Sequence, residues 1–196
     1  MSATTVPPSK TMLRRRFRQY RRRLSASEYD AKSQTITERA LRVPAIQHAS
    51  TLHVYWPQRK EGEVDTRPLI DTLDGAGYDL VLPVVTAFPP DPPAMEHRRY
   101  ITSDALRPNR WGIPEPVDAP SVSPHDLDAV IVPALGAGRD GHRIGHGTGY
   151  YDAFLASLSA PRIVLTYDAT VVDAIPADAH DVPATAIVTE TGVIRP

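Results

Sequence analysis

The stretch from Gly141 to Ala156, GHRIGHGTGYYDAFLA, sets glycines at 141, 145, 147 and 149 beside His142, Arg143 and His146, then runs directly into Tyr150, Tyr151 and Asp152. Glycines let main-chain N–H groups approach an anion closely, and the first turn of a helix adds partial positive charge. A bare turn that opens a helix beside an arginine therefore suits phosphate. Arg143 can add a charge-assisted hydrogen bond, and Lys10 or Arg14 can do the same if the first helix folds over the turn. The spacing Gly145-x-Gly147-x-Gly149 is neither the dinucleotide G-x-G-x-x-G nor the P-loop G-x-x-x-x-G-K-[ST], so a structural turn and an anion cradle both stay open on these residues alone.

Asp152 sits just inside that helix start, where a carboxylate either complements the helix dipole or serves as a Mg²⁺ ligand. Asp181, in HDVPATAIVTE, offers a similar pair of readings: a turn residue before a strand, or a second magnesium ligand. Glu63, in EGEVDTRPLI, lies in the loop after the first strand, on the sheet edge where the glycine stretch also falls. Trp111, in NRWGIPEP, either closes a proline-rich loop onto the core or offers a ring for a flat heterocycle; of Tyr150 and Tyr151, one belongs to the core and the other can line a pocket. No G-x-S-x-G elbow supports a serine hydrolase, and no H-E-x-x-H stretch supports a histidine metal site. The lack of cysteine removes disulfides and thiolate chemistry.

These residues need elements to hold them. In KTMLRRRFRQYRRRL, Leu13, Phe17, Tyr20 and Leu24 fall on one face of a helix, with arginines over the other faces. Ser25-Ala26-Ser27-Glu28 matches a capping box and predicts a second helix to about Leu41. TLHVYW, from Thr51, reads as a strand, Thr66 as the cap of a helix through Leu73, and YDLVLPVV, after the Gly75-Ala76-Gly77 break, as the next strand. MEHRRYI reads as an edge strand, and DAVIVPAL (Asp128 to Leu135) as a strand buried on both faces. A helix from about Gly149 to Leu158, a strand RIVLTY, a short helix around Thr170 to Ala174 and a last strand ATAIVT complete the pattern. The alternation predicts one three-layer α/β domain over residues 1–196, with a mainly parallel open sheet, helices on both faces and the basic first helix packed near the site; residues 1–9 are expected as a flexible tail. Ligands of such sheets bind at the carboxyl ends of the strands, where the glycine stretch falls.

Hydrophobic residues make up 41% and charged residues 23% of the chain, near globular averages, and no apolar run approaches the ~20 residues that span a bilayer. The expectation is a soluble, cytoplasmic monomer. The net charge of −1 conceals an asymmetry, because Lys10 to Arg23 carries eight basic residues and no acid, which leaves −9 for the remainder. Clustered arginine is also the footprint of a nucleic-acid contact, a reading opposed by the overall charge and by an apolar stripe that must dock on the domain. The proline-rich FPPDPPAM and IPEPVDAPSVSP read as rigid surface connections.

Taken in order, KTMLR, EVDTRPLI, WGIPEP, DAVIVPALGAGRDGHRIGHGTGYYDAFL and HDVPATAIVTE resemble the 5-formyltetrahydrofolate cyclo-ligase (5,10-methenyltetrahydrofolate synthetase) family over nearly the whole chain. The resemblance implies an open α/β sheet enzyme that uses ATP and Mg²⁺ to convert 5-formyltetrahydrofolate to 5,10-methenyltetrahydrofolate. It implies ATP contacts from Lys10, Thr11, Met12, Leu13 and Arg14, and a nucleotide loop of Arg143, Ile144, Gly145, His146, Gly147, Thr148, Gly149, Tyr150 and Tyr151. It also implies Mg²⁺ at Asp152 and Asp181, a folate contact at Glu63 with Trp56, Trp111 and Tyr151 as pocket walls, and Arg143, Tyr151 and Asp152 as the catalytic set. Two departures stand out. The family's usual G-[KG]-G-Y-Y-D reads Gly147-Thr148-Gly149 here, a hydroxyl in place of a charge, and its Ala-Phe-Asp after the buried strand reads Gly136-Ala137-Gly138. A member that binds nucleotide or folate without cyclising it is the alternative these departures raise.

Overall fold

The computed structural model describes residues 8–89 and 91–196, so most of the expected 1–9 tail lies outside the described residues. Helix α1 (Lys10–Arg23) starts where Ser9 Oγ accepts from Met12 N. Helix α2 (Ala26–Ala40) starts with the expected capping box of Ser25 and Glu28. Then follow α3 (Pro44–Gln47), β1 (Thr51–His53), α4 (Arg67–Gly75), β2 (Asp79–Ala87) and β3 (Ala94–Arg99). A hairpin of β4 (Leu106–Pro108) and β5 (Pro114–Pro116) precedes β6 (Ala129–Pro133), β7 (Gly136–Gly138) and β8 (Arg143–Ile144). The chain ends with α5 (Tyr150–Leu155), β9 (Arg162–Leu165), β10 (Val171–Val172), β11 (Ala186–Val188) and β12 (Val193–Ile194).

Seven strands form one sheet in the order β12-β11-β9-β6-β1-β2-β3, parallel throughout except for the antiparallel edges β3 and β12. Strand β6 lies at the centre and is fully buried from Ala129 to Val132, as its unbroken apolar run requires. Alternation sends Ala129 and Ile131 into the layer that contains α2, α3 and α4, and Val130 and Val132 into the layer that contains α5. The three-layer α/β architecture is therefore present. Among the described residues no helix is long and apolar enough to cross a membrane.

Helix α1 belongs to neither layer. Its Leu13 and Phe17 are buried against Leu135, Ile144 and Ile175, beside the small sheet formed by β10, β7 and β8. Burying two such side chains is worth about 2 kcal/mol each. The third inward position is Arg21, which is 4% exposed and donates through Nη2 to Ala134 O; Tyr20 and Leu24, expected in the stripe, pack at its edge.

Several elements depart from the sequence pattern for local reasons. Strand β1 stops at His53, although Val54 N still donates to Val81 O at 2.9 Å. The short helix expected near Thr170 to Ala174 is one 3-10 turn, Asp168–Thr170, followed by β10, because β7 offers a parallel partner. ATAIVT is not the last strand, since the chain turns back as β12. Gly136-Ala137-Gly138 is a buried strand, not an entry loop. The Phe17 ring and Thr170 O stand where a Cβ on residue 136 would be, and Asp140 Oδ1 where one on residue 138 would be. That carboxylate accepts from His142 N and Ile175 N, each at 3.2 Å. Gly136→Ala should accordingly cost about 1–3 kcal/mol by urea denaturation, the range for overpacking a close-packed contact.

On the α5 side of β1 the alternation delivers a histidine. His53 is fully buried, with ring centroids 5.0 Å from Phe154, 5.2 Å from His97 and 6.0 Å from Tyr151. Burial, helped by His97, holds its pKa well below the ordinary 6.5. Burial likewise lowers His97 to about 4, against an upward pull from Glu96. Unfolded histidines bind protons below 6.5, whereas these two stay neutral in the fold, so their contribution is complete above that pH and is lost as pH falls towards about 4. Asp65 and Asp128, held below 3.8, act further down the scale. Urea midpoints should fall between about pH 6.5 and about pH 4.5, and His97→Phe should flatten that slope.

Candidate active site

The carboxyl ends of β1, β2 and β6 open into a cleft of about 550 Å³. One wall is α1, through Lys10, Arg14, Arg18 and Arg22; the facing wall is the loop from Gly145 to Gly149 with the start of α5; Trp111 and Pro114 of the β4–β5 hairpin border a third side.

The glycine loop is tied to both walls. Gly149 caps α5 at φ 80°, a conformation that residues with a Cβ rarely adopt, and this allows the sharp turn from loop into helix. Arg14 Nε donates to Gly145 O at 3.1 Å, and the Arg14 guanidinium lies beside Gly147. The helix that follows has six residues, fewer than the sequence pattern predicts, so its dipole is small. Positive character at the loop therefore comes from side chains and main-chain N–H groups. Arg143 is turned inwards: Nη2 donates to Asp152 Oδ1 at 2.6 Å and Nη1 to Val182 O at 2.8 Å, with 5% of its side chain exposed. Thr148 is exposed at the tip.

Glu63 reaches the cleft from a loop pinned at each step. Thr66 precedes α4 but makes no side-chain cap; its hydroxyl donates instead to Tyr55 O at 2.7 Å, and Tyr55 Oη donates to Val64 O at 3.3 Å. Asp65 is paired with Arg67 at 2.6 Å and Arg59 at 3.2 Å. Glu63 itself is 4% exposed; Oε2 accepts from Gln58 N at 2.8 Å, and Oε1 lies 3.5 Å from His146 Nε2. A buried carboxylate with one oxygen turned to the glycine loop is suited to recognise paired N–H donors.

Asp152 and Asp181 line the same cleft and each carries a cation, Arg143 for Asp152 and Lys10 for Asp181 at 2.5 Å. Burial works against ionisation of Asp181, yet the bonds from Lys10 and from Asp178 N hold its carboxyl below the ordinary value. Asp178, His180 and Asp181 bring potential ligand atoms within 4.8 Å of one another, and Asp152 stands outside that group.

Aromatic rings fill the opposite end. Trp111, 44% exposed, meets Tyr150 and Phe88 edge-on at 5.9 and 4.7 Å, and Tyr150 Oη donates to Ala87 O at 2.6 Å. Trp56 stacks on Tyr100 at 6.3 Å. Burial, and then the charge of Glu63, push the Tyr151 hydroxyl far above its ordinary range, so it stays protonated.

Of the residues singled out from sequence, Lys10, Arg14, Trp56, Glu63, Trp111, Arg143, Gly145, His146, Gly147, Thr148, Gly149, Tyr150, Tyr151, Asp152 and Asp181 share this cleft. Thr11 and Met12 are exposed away from it, while Leu13 and Ile144 lie in the apolar contact under α1. Sequence reasoning passed over Arg18 and Arg22, which follow Arg14 at four-residue intervals on the same helix face. It also passed over Glu115, a buried carboxylate raised by burial against the hydrogen bonds from Val85 N and Asn109 Nδ2. Arg143→Met would strip both Asp152 and the Val182 carbonyl of a donor and should cost about 2 kcal/mol in urea denaturation. Thr148→Ala should stay within about 0.5 kcal/mol of the parent chain.

Known proteins resemble this chain over nearly its whole length. Residues 6–190 match the profile of the 5-formyltetrahydrofolate cyclo-ligase family. The 5-formyltetrahydrofolate cyclo-ligase of Escherichia coli (strain K12) is 31% identical over 182 residues, covering 90% of this chain and 98% of that protein. The mouse (Mus musculus) enzyme of the same name is 28% identical over 194 residues, covering 92% and 93%. The NMR structure of the Aquifex aeolicus 5,10-methenyltetrahydrofolate synthetase superposes with a TM-score of 0.83 at 30% identity, over 95% of this chain and 92% of that one. The fold, the order of the motifs and this end-to-end match agree: the chain belongs to the 5-formyltetrahydrofolate cyclo-ligase family.

Proposed function

We propose that this protein converts 5-formyltetrahydrofolate to 5,10-methenyltetrahydrofolate, coupled to cleavage of ATP to ADP and phosphate. The observation that carries this reading is the meeting, in one cleft, of a glycine loop crossed by Arg14 and a buried Glu63 whose free oxygen lies 3.5 Å from His146 of that loop. One part suits phosphate and the other suits the N–H edge of a heterocycle, so a nucleotide and a folate would be held side by side. The names carried by the Escherichia coli and mouse relatives support the same reaction.

A formamide oxygen is a poor leaving group. Transfer of the γ-phosphoryl from ATP to that oxygen, with ADP as the leaving group, makes an iminium phosphate; N10 of the folate then attacks the formyl carbon and gives up its proton, and the carbon–oxygen bond breaks to release phosphate. Such chemistry asks the protein mainly for positioning and charge. Glu63 would hold the folate in register, Trp111 and Trp56 would flank it, and Tyr151, kept protonated, would offer a hydroxyl donor. Main-chain N–H groups of the loop and Arg14 would hold the phosphates. Asp152 and Asp181, hard oxygen donors on the same cleft, fit magnesium, which when bound would offset phosphate charge.

Mixing the protein with ATP, Mg²⁺ and 5-formyltetrahydrofolate should develop the near-ultraviolet absorbance of the methenyl product, and chelation of Mg²⁺ should stop it. Asp152→Asn should lower kcat by about 100-fold, and Glu63→Gln should raise KM for the folate by about tenfold with a smaller change for ATP. No product at any enzyme level would overturn the reaction, and binding of both ligands without product would mark a member that kept the cleft and lost the chemistry.

A further inference from the structure

Five cationic side chains line the cleft, Lys10, Arg14, Arg18, Arg22 and Arg143, and two of them are already committed. Lys10 holds Asp178 and Asp181 at 2.5 Å each, and Arg143 holds Asp152. Arg14 uses its Nε on Gly145 O. Both Arg18 and Arg22 lie within α1, and among the described residues their side chains make no hydrogen bond and no ion pair. Arg14, Arg18 and Arg22 recur every four residues, so they rise along one face of α1 in steps of about 6 Å. Like charges at this spacing repel, and Arg14 and Arg18, unlike the exposed Arg22, are half-buried and lack full hydration, so these two gain stability when an anion lies against them.

The position of each arginine decides which anion. Arg22 stands a turn beyond Arg18, where it also shares with Glu61 a second, shallower pocket and so has negative charge of the chain's own beside it. Arg18 is one turn from Arg14, whose guanidinium rests beside Gly147, and two linked phosphates are long enough to touch both. On the facing wall Thr148 presents no charge, and Arg143 is tied to Asp152 and Val182 O.

We propose that Arg18 is a ligand for the terminal phosphates of the nucleotide, acting with Arg14 across the cleft and supplying from α1 the charge that Thr148 does not supply from the glycine loop. This rests on the nucleotide reading above. The position of the cation differs from a glycine-loop lysine in one physical respect: it is delivered by a separate element, so phosphate binding would draw α1 and the loop together.

Equilibrium titrations in Mg²⁺ buffer with ATP, AMP and 5-formyltetrahydrofolate, on the full chain and on Arg18→Gln, test it. Loss of one charge-assisted contact should weaken ATP by about tenfold and leave AMP and the folate within about twofold, and Thr148→Lys added to Arg18→Gln should recover most of the ATP affinity. Unchanged ATP affinity in Arg18→Gln, or a loss that falls on the folate instead, overturns the assignment. Absence of ATP binding by the parent chain overturns the nucleotide reading itself, which separates the two failures. If Arg18→Gln does not fold, as judged by its thermal transition, Arg18→Lys decides: it keeps the charge but not the planar fork, so ATP should weaken by about threefold and AMP should not. Equal ATP affinity would then sink the proposal.

Discussion

The contact of Phe17 with the bare backbone of Gly136 sets the position of everything in the cleft. A side chain on residue 136 would occupy the space the ring now fills, so the glycine lets α1 lie directly on β7. Once Leu13 and Phe17 are seated, helical geometry leaves no choice about the rest of α1: Arg21 turns under the helix to Ala134 O, and Arg14, Arg18 and Arg22 turn into the cleft. A helix with eight basic residues is thereby sorted into a buried position, a cleft-lining row and an outer face of Arg15, Arg16 and Arg23. Packing of two apolar side chains distributes the charge.

The second organising relation is between two loops that leave neighbouring strands of a parallel sheet. The loop after β1 carries Glu63 and the segment after β6 carries the glycines, and adjacent parallel strands must release their loops on the same edge. Glu63 and His146 lie 3.5 Å apart for this reason. Buried polar bonds from Thr66, Tyr55 and Asp65 keep the first loop from relaxing, and Arg14, Arg143 and Tyr150 anchor the second. The loops are surface segments by topology and rigid ones by hydrogen bonding.

Much of this was legible in the chain because the signals were local. The Ser25 to Glu28 box, the apolar period of α1 and the unbroken run of β6 each name their own structure within a few residues. Elements that depend on distant partners were not legible. Strand β10 exists because β7 lies beside it, α5 is short of its predicted span, and β12 pairs only after the chain reverses. In the site, residue types and motifs singled out Glu63, Asp152 and Asp181, which the structure gathers on one cleft, but not the state in which each is held. That Arg143 faces Asp152 and not the cleft opening, that Gly136-Ala137-Gly138 is a strand, and that Arg18 and Arg22 share a wall with Arg14 are all facts of three-dimensional proximity.

The pairing of Lys10 with Asp181 and of Arg143 with Asp152 has a further meaning for assembly. Two carboxylates facing one cleft would repel each other during collapse if left bare, and here each brings its own counter-ion from the same chain. Each carboxylate is neutralised within the chain itself, so the cleft gathers its acidic groups without leaving either of these two bare.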